Sequence, residues 1–239
     1  MNKREIPKGL EYLALISLVS TQAQKESETS FEKHSHYLMM IGTSLSALYQ
    51  ASTCYRHCFN NGHVLEALAG RTYNLGCAAY LLINQGFYDE ALNLVRSIGE
   101  ISNLIQLSVH DKGSLRKWLD SDEKTRKKEF TPMKVRQLIE TTGNKPFVDK
   151  DWYSKFCEEF THVNPNTKPN SHNDIELGIV GGVFQEKGLE YSLGQLATLL
   201  GRTGIMICAY FNFDDLLAEI DSYIAMSKQK MNANKPNAR

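Results

Sequence analysis

Residues 54–63 read CYRHCFNNGH, which gathers two thiols, two imidazoles and a guanidinium into one short stretch. If a helix runs through it, Cys54, His57 and Cys58 share one face, and His63 folds back after Asn60-Asn61-Gly62. Those are ligand types that zinc takes. Structural zinc sites, however, draw two ligands from each of two separated elements, whereas three here come from one helical turn. A simpler reading makes the stretch the end of an amphipathic helix. Cys54 then faces the core, Arg56 and His57 lie on the polar side, and Asn60-Asn61-Gly62 supplies the left-handed stop. No resident metal or other cofactor is expected.

A second set of residues lies downstream. Arg96 and Glu100 are one helical turn apart, away from the Ile98 side. Arg before Glu is the less favourable order for an exposed helical pair. Gly99 between them costs roughly 1 kcal/mol of helix propensity against Ala. A glycine beside a charged pair implies a close helix crossing, with the charges in a partly buried polar network. Either the pair is a salt bridge tying two helices, or Arg96 and Glu100 bind a polar ligand together with His162 and Asn164. His162 opens the sequence His-Val-Asn-Pro at a helix end. There it either caps carbonyls or faces a cleft.

The elements that must position these residues are helices. Apolar residues at 10, 13, 14, 17 and 18 predict a helix over 6–24, and the pattern from Phe31 to Ala51 predicts another over 30–60. Further helices are expected over 64–84, from Asp89 through Ile105, around 114–119, from the Thr131-Pro132 cap to Thr142, and over 149–160. Leu189, Leu193, Leu196, Leu200, Ile207 and Phe211 mark a long helix, and a last one runs from Asp214 to about Ser227. The region 162–187 is irregular, its second half able to form a small β-hairpin near 175–186. The expectation is an all-α, antiparallel bundle of seven to nine helices. It forms one domain over 1–227, followed by a disordered basic tail over 228–239. A Leu-Gly pair and a Gly-x-Tyr-x-x-Ala turn near 75–91 suggest a tetratricopeptide repeat, but no second copy occurs.

Lys and Arg balance Asp and Glu at 27 each, so no global field draws the chain to nucleic acid or anionic lipid. Any such partner, RNA or a protein, would use a local patch. Segment 116–136 carries eight basic residues against four acidic ones. The run LEYLALISLVS is about half a membrane span and contains Glu11, so no membrane insertion is expected. Five scattered cysteines suit a reducing, cytoplasmic setting.

Arg96-Ser97-Ile98-Gly99-Glu100 and, later, Thr161-His162 with Pro165 resemble two elements of a bacterial helical family of unknown function. That family is related to the HEPN-like proteins of defence and toxin systems. The resemblance covers about residues 40–212. It implies a helical bundle, a homodimer formed through the long helices, and either a ligand-sensing or partner-binding module or a metal-independent ribonuclease. Active HEPN ribonucleases pair Arg with a His a few residues on, at the dimer axis. No Arg precedes His162 at that spacing. It occurs only at Arg56, His57 and His63, which would be the catalytic residues of a ribonuclease.

Overall fold

The computed structural model describes residues 6–57 and 63–233, with side chains through residue 229. Among the described residues it is all-helical. The α-helices are α1 (Leu10–Thr29), α2 (Ser35–Ser52), α3 (Val64–Asn84), α4 (Tyr88–His110), α5 (Lys112–Asp120), α6 (Glu123–Glu129), α7 (Pro132–Thr141), α8 (Lys150–Phe156), α9 (Glu186–Phe211) and α10 (Asp214–Ala233). A wider π-turn, Cys157–Thr161, continues α8.

Helices α2, α3, α4 and α9 pack on one another to form the core, and α10 covers α2 and α9. Their contact rows are aliphatic: Leu48 and Ala51 on α2, Ala79 and Ile83 on α3, Leu92, Val95 and Ile98 on α4, and Leu193, Leu196 and Leu200 on α9 are all nearly solvent-free. Burial of such rows, rather than propensity, is what stabilises helices of this length. The α3–α4 connection is three residues long, which forces an antiparallel pair. Gly86 makes that turn in the left-handed region, φ 78°, and a Cβ there would stand 2.6 Å from the backbone of Val183.

Four sequence expectations are corrected. Among the described residues the count is ten helices, because the charged stretch after α5 forms α6 behind an Asp122 cap instead of an open connection. Residues 175–185 contain no strand. Asn173 holds them, accepting from the Ile175 and Leu177 amides and donating to the Leu177 carbonyl, so side-chain bonds take the place of a hairpin ladder. Helix α2 stops at Ser52, well before Asn60-Asn61-Gly62, which lie outside the described residues. The Ser52 and Thr53 hydroxyls both bond back to the Tyr49 carbonyl, and Cys54 turns into the left-handed region at φ 52°. At the other end of the chain α10 continues past the expected boundary to Ala233, and residues 234–239 lie outside the described part.

Helix α1 packs only lightly, against α3, and buries just Ser20, Ala23 and Ser27. The apolar face read from its sequence points outward, with Leu10, Leu13 and Leu18 exposed. None of the described helices is long and apolar enough to cross a membrane.

Candidate functional site

The candidate site is built on α4. Arg96, Glu100, Asn103 and Gln106 follow one another at helical spacing and form a polar stripe beside the apolar row of the helix. The lower half of the stripe is architectural. Asn103 donates to the Val148 carbonyl (2.9 Å) and accepts from its amide (3.0 Å), while Gln106 does the same for the Lys145 carbonyl and Phe147 amide. The extended segment 145–148 is thereby fixed across α4. Gly99 lets Val148 settle there, since a Cβ would lie 2.7 Å from Val148 Cγ2. The close approach that Gly99 implied in the sequence is present, but what comes close is this non-helical segment, where a helix crossing was expected.

The upper half of the stripe is a charged knot. Arg96 Nη2 donates to Glu100 Oε1 (2.9 Å) and to the Tyr153 hydroxyl, and Arg96 Nε donates to Cys157 Sγ (3.1 Å). The Tyr153 hydroxyl in turn donates to Glu100 Oε1 at 2.7 Å. Burial, together with that bond to a carboxylate, pushes the Tyr153 hydroxyl up to about 12. Two guanidiniums flank the Tyr153 ring, Arg96 with its Cζ 4.8 Å from the centroid and Arg136 at 4.9 Å.

Arg136 is the residue that sequence reasoning missed. It was counted in the basic segment 116–136 and expected on a surface, yet it is 8% exposed and its Nη1 has no hydrogen-bond partner. It lines a cavity of about 220 Å³ together with Glu100, Tyr153, Trp118, Phe130 and Leu104, among others. That is roughly seven water molecules' worth of liquid volume. Glu100 is already neutralised by Arg96, so the cavity keeps one uncompensated positive charge at its polar end. Its other end is aromatic and aliphatic. The signal available in the sequence was the spacing Val135-Arg136 and Ile139, which puts Arg136 beside the apolar stripe of α7.

His162 and Asn164 lie on the far side of the same knot. With Tyr153, Ser154, Cys157 and Glu158 they line an open cleft of about 330 Å³. The wider turn closes with the His162 amide donating to the Cys157 carbonyl at 2.8 Å, five residues back. Such turns often mark functional positions. Tyr153 and Cys157 therefore stand between the two halves of the expected set, Arg96 with Glu100 on one side and His162 with Asn164 on the other.

The residues of the 54–63 stretch are distributed differently. Arg56 forms a bidentate pair with Asp215 (2.6 and 2.8 Å), donates to Gln50 Oε1, and lies over the Phe213 ring. His57 meets Phe213 edge-on at 6.0 Å. His63 points instead to Cys54 and Glu66. Arg56 and His63 thus engage different partners. Cys58 lies outside the described residues. Along segment 116–136 three of the surface cations are locally paired: Arg116 with Asp120, Lys117 with Glu129, and Lys127 with Glu123.

No protein-family model, no curated protein and no solved structure matches the chain.

Proposed function

We propose that the chain is a ligand-sensing module whose cavity between α4, α7 and α8 takes a small organic anion with an apolar body. Arg136 carries the reading. A buried guanidinium nitrogen left without a hydrogen-bond partner costs about 1–3 kcal/mol, and a carboxylate or phosphate group removes that cost by pairing with it. Ile101, Leu104, Trp118, Phe130 and Pro132 suit an aromatic or branched aliphatic body. The Arg96–Glu100–Tyr153 knot holds the ring against which Arg136 is stacked.

Trp118, Phe130 and Pro132 belong to segment 116–136, so that segment forms one wall of the cavity. Occupancy is communicated by repositioning this wall, whose outer side carries the basic residues that meet RNA or a partner protein. A role in a bacterial defence or toxin-type system, as a homodimer, is what the HEPN-like resemblance of Arg96-Ser97-x-x-Glu100 and Thr161-His162 adds to the proposal.

Benzoate and phenyl phosphate are suitable probes for the purified chain, with inorganic phosphate as a control that lacks the apolar body. Saturable quenching or enhancement of tryptophan emission and a rise in melting temperature are expected for the aromatic anions. Both responses should vanish in Arg136→Met. If neither aromatic anion alters the parent protein, the reading fails.

A further inference from the structure

At the junction of α2 and α3, away from the cavity, three ligand-type side chains from two elements converge. Cys54 lies just past the Thr53 cap of α2, His63 stands at the cap of α3, and Glu66 lies in the first turn of α3. One ring nitrogen, His63 Nδ1, is 3.8 Å from Cys54 Sγ and 3.5 Å from Glu66 Oε1. The three ligand atoms all lie within 4.8 Å of one another. Zinc bonds of ordinary length at tetrahedral angles put neighbouring ligand atoms about 3.4–3.6 Å apart. Two of the three edges, 3.8 and 3.5 Å, lie close to that spacing, and the third is at most 4.8 Å.

Glu66 strengthens the case independently. Its side chain is 9% exposed, and among the described residues no Lys or Arg pairs with it. A buried carboxylate calls for a cation. Cys54 at φ 52° and His63 at φ 53° both occupy the left-handed region. That turns the chain so that its ligand groups meet across the junction, whereas a continuous helix would have put Cys54 and His57 on one face.

We propose that Cys54, His63 and Glu66 form a zinc site, with water in the fourth position. This ligand set differs from the one the sequence suggested. Glu66 enters, and His57 leaves for the Phe213 ring. On binding, the Cys54 thiol gives its proton to solvent and coordinates as thiolate, His63 coordinates through Nδ1, and Glu66 coordinates as carboxylate. The metal then fastens the end of α2 to the start of α3.

The test uses the full chain, stripped by a chelator and titrated with Zn²⁺ alone and, in parallel, with Co²⁺ alone. One Zn²⁺ per chain is expected. Co²⁺ should give the strong visible bands of four-coordination and a near-ultraviolet thiolate charge-transfer band. Cys54→Ser should remove the charge-transfer band, Glu66→Gln should weaken Zn²⁺ binding by about 100-fold, and His57→Ala should leave both unchanged. The site is overturned by any of three results: no stoichiometric Zn²⁺ in the parent, a Co²⁺ spectrum without a thiolate band, or loss of binding in His57→Ala. Because the parent's own Co²⁺ spectrum reports the thiolate, the proposal is decided even if a variant fails to fold.

Discussion

Arg56 and Arg136 each sit over an aromatic ring, the first 4.6 Å from the Phe213 centroid and the second 4.9 Å from that of Tyr153. Beyond that they are opposites. Arg56 lies near the surface with its donors taken by Gln50 and both oxygens of Asp215. Arg136 is buried beside a cavity and makes no hydrogen bond at Nη1. Water satisfies an exposed guanidinium at little cost, so the Asp215 pair adds little stability and mainly fixes where α10 begins against the end of α2. A buried guanidinium has no such recourse. The same side chain is thus a fastener at one place and a receptor group at the other, and burial decides which.

The comparison can be broken at its strongest point. Arg136→Met should weaken benzoate binding by about 100-fold. Without ligand it should raise stability by about 1–3 kcal/mol in urea unfolding, because an apolar side chain replaces an unpaired buried charge. A loss of stability would mean that Arg136 already has its partner. Gly99→Ala is the next largest. Its new Cβ forces Val148 from its seat, and Val148 lines the cavity. A net cost of about 1–2 kcal/mol is expected, after the helix-propensity gain, together with weaker benzoate binding by calorimetry.

Tyr153→Phe should cost about 1 kcal/mol by removing the hydroxyl shared by Arg96 and Glu100. It also has a pH signature. Burial, and then the bond to Glu100, hold the folded hydroxyl near about 12 against an ordinary 10.0. The resulting stabilisation is complete below the ordinary value and fades as pH rises from there to about 12. The variant should show a shallower alkaline loss in unfolding titrations, the remainder belonging to other raised groups, chiefly Tyr88 and Cys208, which burial raises to about 12. Arg56→Ala should have the smallest effect. Its hydrogen bond to Asp215 holds that carboxylate at about 2, below the ordinary 3.8. The contribution is therefore present above the ordinary value and lost as pH falls toward 2. The acid-unfolding midpoint should move slightly upward, with benzoate binding untouched.

The helices were legible where an apolar stripe meets the core, as on α4 and α9. Such stripes are local statements of a global fact. The end of α2 was not legible, because Ser52 and Thr53 stop it with hydroxyl bonds that composition does not reveal. Arg96 and Glu100 were legible through Gly99, an unfavourable helix residue with a packing reason. Arg136 was hidden by its company. Among the cations of segment 116–136 it counts as one more surface charge; its place beside the apolar stripe of α7 is a faint signal, and the three-dimensional meeting of α7 with Tyr153 makes it plain. Glu66 was hidden in the same way, as an ordinary acid in a first helical turn.

Asn170 shows what the irregular loop is for. Its side chain, 4% exposed, accepts from the amide of Tyr88 and donates to the carbonyls of Gly86 and Gly181, while its own amide donates to Asp89. Helix α4 has no capping side chain of its own at Phe87 and borrows this one from 82 residues away. The loop therefore cannot lift off without fraying the first turn of the helix that carries Arg96 and Glu100. Solvent exchange at the Tyr88 amide should register each opening of the loop, so that one backbone proton keeps time for the whole segment.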